Sequence, residues 1–481
     1  MALRGRRMVA TAVSLTVASV GLGVAPAATA AAEPTIGLRA VRETIEVKRR
    51  PNRPGWFDPA LHVYAKDGPF ELRISRDYGE PMKLTRMLPG GGSQELSSDL
   101  LQGMRGLKGF VKLRVTNSKG KVVQRRSINF CPNSWEQQRV DDSGPMNQSY
   151  PYFCGGGPFI KGMVWGIDQG WGSSILEYGG VRLKGPNGRY TVTASIADKF
   201  VDVLGIPNEL ASAEMTVKLK TSKRGGGGCH HCGHRSKVFA RQQRSADVPV
   251  IENPDPGILP DLAALPAFGM GVSNRKKQFL RFAATVWVDG ASGLHVEGFR
   301  RPNEDVMDAN QYFYENGEVV GKAPVGEFEY DARRGHTHWH FRQFAEYRLV
   351  SADGGDVVRS TKEAFCLAPT DPLDLTIDGA DWRPDDIGFG SSNCGGESSL
   401  WVKEVLPLGW GDTYHQFRPG QSFNITNLPN GAYFIEVEAN PGGFLHDADP
   451  SNNVERRKVI IKSKGGRRYV TVPPWNGIDT G

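Results

Sequence analysis

Four short landmarks occur twice in this chain, in the same order, and that repetition constrains its fold more than any other feature. Lys121-Val122-Val123 leading to Phe130-Cys131 answers Asp356-Val357-Val358 leading to Phe365-Cys366. Cys154-Gly155-Gly156 answers Cys394-Gly395-Gly396, Gly170-Trp171-Gly172 answers Gly409-Trp410-Gly411, and Pro186-Asn187-Gly188-Arg189-Tyr190 answers Pro429-Asn430-Gly431-Ala432-Tyr433. An ordered set of this kind is the mark of a duplicated unit. With 59 Gly and 31 Pro, 90 of 481 residues are of these two types. Short runs rich in Val, Ile, Thr and aromatics lie between them, the pattern of many strands and few helices. The expected fold is all-β, two tandem β-sandwich-like domains joined by a Gly-rich linker.

The ends and the composition divide the chain further. Arg4, Arg6 and Arg7 precede an apolar run from Met8 to about Pro26, and Ala28-Thr29-Ala30 follows, so residues 1–32 read as a secretory signal peptide. The run is rich in Ala, Gly and Ser and lacks a stop-transfer pattern, so no membrane span is expected after cleavage. Residues 35–222 form the first β region, with strands expected at Glu46–Arg49, His62–Ala65, Phe70–Ile74, Val111–Val115, Lys121–Asn129 and Tyr190–Ile196. Residues 223–254, opening with Arg224-Gly225-Gly226-Gly227-Gly228, read as a flexible linker. The second β region spans 255–465 and a tail 466–481. Six cysteines in an exported chain divide into Cys131 with Cys154, Cys366 with Cys394, and the linker pair Cys229 and Cys232.

Charge separates the halves. From Asp255 onward there are 23 Lys and Arg against 31 Asp and Glu, a net −8, whereas the rest carries 36 against 21, or +15, and +12 without the three signal arginines. An acidic half suits a cationic ligand; a basic half suits an anionic partner such as a cell-envelope polymer. No nucleic-acid partner is expected. On this reading a chain beginning near Asp255 keeps its chemistry and loses only retention on anionic surfaces.

The chemistry concentrates in Gly335-His336-Thr337-His338-Trp339-His340-Phe341, where three of the ten histidines alternate. On a strand, alternate side chains share a face, so His336, His338 and His340 converge as metal ligands, while Trp339 and Phe341 point to the packed side. The outer Cα atoms would lie roughly 13 Å apart at strand rise, so the outer rings must lean inward. Imidazole suits copper, zinc, iron or nickel. In the first region the aligned positions are Gln102, Met104 and Gly106, which hold no such site, so that region reads as non-catalytic.

From Leu259 to Ile461 the second region resembles the lysyl oxidase family of copper- and quinone-dependent amine oxidases. The resemblance rests on Leu259-Pro260-Asp261-Leu262, His336-Thr337-His338-Trp339-His340, Lys362-Glu363-Ala364-Phe365-Cys366-Leu367, Gly411-Asp412-Thr413-Tyr414 and Asp449-Pro450-Ser451-Asn452-Asn453-Val454. It implies a secreted, microbial-type member with copper on the three histidines and a lysine tyrosylquinone cross-linked from Lys362 and Tyr414. The lysine must be neutral to react, so burial or the metal has to lower its pKa from about 10.4. Asp412, two residues before Tyr414, is the candidate general base. The implied reaction converts primary amines, peptidyl lysine foremost, to aldehydes with O₂ as oxidant and release of H₂O₂ and ammonia. Arg333 stands where better-known members carry a further histidine.

Two rival readings use the same residues. His-x-His on a strand also resembles α-type carbonic anhydrases, a zinc chemistry with no use for Lys362 or Tyr414. A non-enzymatic copper-binding or cell-surface protein is the other. The linker run Cys229-His230-His231-Cys232-Gly233-His234 lacks the order of haem attachment. It fits a small disulfide, favoured by an oxidising export route, or a Cu(I)-collecting site. His62, His230, His295, His415 and His446 read as surface or packing residues.

Overall fold

The computed structural model describes residues 35–480 apart from 136, 177–179, 223–244, 275–276, 302–303, 333–336, 343, 361–363 and 385–393. The fold is all-β, as expected; one α-helix, Asp198–Leu204, occurs among the described residues and ends at Gly205, whose left-handed conformation (φ 63°) directs its N–H back to Val201 and Asp202. No described helix is long and apolar enough to cross a membrane. All six expected strands form: Thr44–Arg49, Leu61–Ala65, Phe70–Ser75, Leu107–Asn117, Val122–Phe130 and Gly188–Ile196. Their patterning explains them. In Phe70–Ser75 the side chains of Phe70, Leu72 and Ile74 are buried while Glu71, Arg73 and Ser75 face outward, the period of two that covers one face of a sheet.

Three pairs of sheets follow matching strand orders in the two halves. Ile36–Ala40, Leu61–Ala65, Trp171–Ser174 and Gln138–Arg139 form one sheet, and Pro260–Ala264, Gln278–Gly290, Trp410–Tyr414 and Asp371–Pro372 another. Val122–Phe130, Leu107–Asn117, Gly188–Ile196 and Ser212–Thr221 are ordered as are Asp356–Arg359, Ala345–Ser351, Gly431–Ala439 and Val454–Lys464. These sheets close differently: Thr44–Arg49 joins the first in parallel, while Arg467–Thr471 folds back antiparallel on the second. The third pair runs Gly162–Ile167, Phe70–Ser75, Lys83–Met87, Ser93–Leu96 against Trp401–Leu406, Leu294–Arg300, Val306–Glu315, Glu318–Asp331 and then His338–Phe341. In the second half this sheet has a fifth strand, and it carries two of the candidate histidines. The long hairpin before it turns on Asn316-Gly317 (φ 51° and 83°), the positive-φ pair that a two-residue turn demands.

The Pro-Asn-Gly landmarks have a common structural purpose. Tyr190 donates its hydroxyl to the Pro186 carbonyl at 2.7 Å, and Tyr433 donates to the Pro429 carbonyl at 3.0 Å, so each turn is tied to the strand that leaves it. The disulfides Cys131–Cys154 and Cys366–Cys394 form as expected, each with Cα atoms 5.7 Å apart.

One expected segment character changes. Of the linker, residues 223–244, with Cys229 and Cys232, lie outside the described residues, but 245–251 is pinned instead of flexible. Ser245 N–H donates to Glu297 (3.0 Å), Lys322 pairs with Asp247 (3.1 Å), and Ile251 N–H donates to Lys322 O (2.8 Å). The tail likewise is structured: after Arg467–Thr471, a closed turn joins Trp475 and Ile478 through reciprocal backbone bonds of 3.0 and 2.8 Å. Apolar side chains in both segments find partners, and burial outweighs the local absence of a strand pattern. The signal segment 1–32 lies outside the described residues.

Replacing Tyr433 by Phe removes its hydrogen bond to the Pro429 carbonyl. The expected cost is about 1 kcal/mol, read as a lower urea midpoint with unchanged slope; an unchanged midpoint would show that the tie carries no stability.

Candidate functional site

The histidine strand is held on two sides. His338–Phe341 pairs with the hairpin strand in the register Asp331 with His338, Tyr330 with Trp339, Glu329 with His340 and Phe328 with Phe341. On its free edge, Phe341 N–H donates to Phe365 O (2.7 Å) and Phe365 N–H donates to Phe341 O (2.9 Å). Trp339 and Phe341 are fully buried, as the alternation predicts. The Trp339 indole donates to Gly396 O (2.9 Å), with the Arg300 guanidinium 5.2 Å above its ring. The strand is therefore bound at its edge to the residue before Cys366 and through Trp339 to the segment after Cys394, which the disulfide joins.

His338 and His340 share the opposite face, ring centroids 4.5 Å apart and nearly perpendicular. His340 is 2% exposed, and its Nδ1 stands 3.8 Å from the Asp331 carboxylate. That is beyond hydrogen-bond length but close enough for the charge to favour an electropositive centre at the ring. Two adjacent imidazoles backed by a buried carboxylate suit Cu(II) or Zn(II). His336 and Arg333 lie outside the described residues.

Tyr414 ends the strand Trp410–Tyr414, all five residues of which are buried. Its hydroxyl accepts from Cys366 N–H at 2.9 Å and donates to Cys366 O at 3.1 Å, so one residue uses both of its backbone polar groups on one phenol. Phe365 meets the Tyr414 ring edge to face at 4.9 Å. The next amide, Leu367 N–H, donates to Glu404 at 2.8 Å. Thus Phe365 is bonded to the histidine strand, Cys366 to Tyr414 and Leu367 to Glu404, three consecutive residues joining three elements. Lys362, four residues before Cys366, lies outside the described residues. Among 364–366 a single bridge at Phe365 forms, because both backbone groups of Cys366 are engaged by a side chain instead of a ladder.

Burial and charge keep the phenol neutral. Tyr414 is held well above its ordinary pKa first by burial and then by the Asp412 carboxylate, against a smaller opposing effect of the Cys366 amide. Tyr347, edge-on to Phe365 at 5.9 Å, is raised by burial and, further, by Asp412. Asp412 is itself buried and shares the face of Tyr414 on their strand, as expected. The sulfurs of Cys366 and Cys394 and a Glu404 oxygen lie within 4.8 Å of one another, but the sulfurs are bridged and offer no thiolate to a metal.

Sequence reasoning missed Glu404, Asp331 and Tyr347. For Glu404 a signal existed. In Trp401–Leu406 the residues Val402, Glu404 and Leu406 face inward, so an acidic group sits at an apolar position of the alternation. Of the histidines read as packing residues, His295 lies against Tyr314 (4.2 Å) and His446 edge-on to Phe313 (5.5 Å).

Comparison with known proteins points in one direction. The chain is similar to lysyl oxidase homolog 2 of Rattus norvegicus, 23% identical over 229 residues, 47% of this chain and 27% of that protein. It is also similar to lysyl oxidase homolog 3B of Danio rerio (29% over 136 residues, 28% and 15%) and lysyl oxidase homolog 4 of Mus musculus (25% over 160 residues, 33% and 18%). The matched stretch spans about a quarter or less of these relatives' length. No family model matches the chain. The similarity is to a lysyl oxidase-like family.

The buried phenol sets an alkaline limit. Native Tyr414 stays protonated where the unfolded chain ionises, so its contribution to stability is complete below pH 10 and is lost as pH rises from 10 toward its higher native pKa. In metal-free protein, Tyr414→Phe should therefore lose about 1.4 kcal/mol less stability per pH unit above 10 than the parent, measured by urea unfolding between pH 9 and 11. Parallel curves would place the phenol in contact with solvent.

Proposed function

We propose that this chain is a secreted copper- and quinone-dependent amine oxidase acting on primary amines, peptidyl lysine foremost. The observation that carries the reading is the convergence at Phe365, Cys366 and Leu367. It ties the strand of His338 and His340 to the hydroxyl of Tyr414 within one residue of chain. His336, His338 and His340 would hold the copper, and Lys362 with Tyr414 would make the lysine tyrosylquinone. Together the metal and the quinone supply a two-electron oxidation of the substrate's C–N bond with O₂ as acceptor. The balance is R–CH₂–NH₂ + O₂ + H₂O giving R–CHO + NH₃ + H₂O₂.

The chain's own groups do the positioning and the proton work. The Cys366 peptide fixes the Tyr414 hydroxyl, and Phe365 fixes its ring plane. Asp412, buried and on the same face, would take the proton from the carbon next to nitrogen. Its negative charge and the net −8 of the second half favour a cationic amine. The basic first half offers a surface for an anionic cell-envelope polymer.

The decisive experiment is peptide mapping of protein produced with and without copper. A covalent Lys362–Tyr414 pair should appear only with copper; unmodified peptides from copper-loaded protein would overturn the enzyme reading and leave a copper-binding protein on the same histidines. His338→Ala should reduce copper binding below detection in equilibrium dialysis and leave Tyr414 unoxidised. Lys362→Ala should permit tyrosine oxidation without the cross-link, shifting the visible absorbance and removing most turnover.

A further inference from the structure

The surface by which the first half meets the second lies behind the segments that carry Tyr414. Gly162–Ile167, an edge strand of the first half, takes Leu373–Leu375 as an added parallel rung. Lys161 N–H donates to Leu373 O (2.6 Å), Leu375 N–H donates to Gly162 O (3.0 Å), and Gly162 faces Asp374. A Cβ at Gly162 would overlap the Asp374 carboxylate and the Thr376 hydroxyl, so only glycine lets the two backbones approach. Gly157 N–H donates to the Asp371 carboxylate (3.0 Å). This gripped stretch begins four residues after Leu367, and its Asp371–Pro372 pairs with Gly411 and Trp410 on the Tyr414 strand.

A second set of contacts grips the chain before Cys394. Tyr150 stacks on Trp382 (5.8 Å), and the Arg383 guanidinium lies 3.7 Å over the Tyr152 ring while donating to Tyr150 O. The other face of Tyr152 is stacked on Trp135 at 3.9 Å. Trp382 in turn donates to Leu375 O (2.9 Å), joining the two gripped stretches. At the head of the Tyr414 strand, Trp410 meets Phe153 edge to face (6.2 Å) and donates to Asp381 O (2.6 Å). The tail closes the seam, with Trp475 against Tyr78 (5.0 Å) and Phe159 (5.5 Å).

We infer that the first half is a positioning clamp for the Tyr414 side of the site, acting through 371–376, 381–383 and Trp410, and not an independent module joined by a flexible linker. The inference rests on the assignment of Tyr414 in the proposed function. A loop that brackets a phenol with the N–H and C=O of a single residue has no ladder of its own to hold it, and here the chain that leaves that loop is held from the other half at two places. A first half without His336, Lys362 or Tyr414 counterparts then still has work in the reaction: it keeps the Cys366 peptide on the phenol.

The test is hydrogen exchange on the full, metal-free chain, with substitutions only in the first half. Gly162→Val and Tyr152→Ala should each accelerate exchange of the Cys366 and Leu367 amides roughly five- to tenfold, the equivalent of one weakened hydrogen bond. Tyr152→Phe, which keeps the ring beneath Arg383, should restore parental rates. Val192→Ala, a fully buried position in the first half's own core, should accelerate exchange in Gly188–Ile196 and leave Cys366 and Leu367 unchanged. Parental rates at Cys366 and Leu367 in both Tyr152→Ala and any folded Gly162→Val protein would overturn the inference, as would equal acceleration in Val192→Ala. Because no metal is present, these outcomes stand apart from the copper-dependent cross-link: a chain without the cross-link but with the coupled exchange refutes the enzyme reading and not the clamp.

Discussion

The site depends on the backbone of one residue. Cys366 uses its N–H and its C=O on the hydroxyl of Tyr414, and a backbone that does so cannot also join a sheet through those groups. The structure surrounding it is what makes this arrangement affordable. Phe365 is bonded in both directions to the histidine strand, Leu367 is bonded to the fully buried Glu404, and the disulfide ties Cys366 to the segment on which Trp339 rests. Each neighbour of Cys366 is fixed by a different element, so the residue between them has little freedom to leave the phenol.

The same economy explains the electrostatics. Burial disfavours the ionised form of Tyr414 and of Tyr347, and the Asp412 carboxylate adds repulsion to both. A phenol kept neutral in apolar surroundings is a stable resting state that needs an external oxidant to change it. The histidine strand is joined to Phe365 through Phe341, with Asp331 behind His340 to favour positive charge there. Phenol and imidazoles are thus kept in different electrical environments.

The two halves follow matching sheet orders, yet they differ where chemistry is at stake. The sheet that ends at Ser93–Leu96 in the first half continues in the second to His338–Phe341, and where the second half has Asp412 and Tyr414 the first has Ser173 and Ile175. What is shared is what a sheet stack requires: the tied turn at Pro-Asn-Gly, the bridged cysteines, and the tryptophan that opens the inner strand.

Much of this was legible in the residues. Alternation placed Trp339 and Phe341 on the packed side away from His338 and His340, because a strand's period of two depends only on local backbone geometry. The cysteine pairing followed from order along the chain. Tertiary structure alone decided the rest. Nothing in Tyr152, Gly162 or Trp475 announces a partner more than 200 residues away, and nothing in Cys366 announces that its peptide will bracket a side chain 48 residues later. A sequence pattern states which face a side chain takes; what lies across that face is set by how whole sheets pack, and packing is chosen by the summed burial of many residues instead of by any one of them.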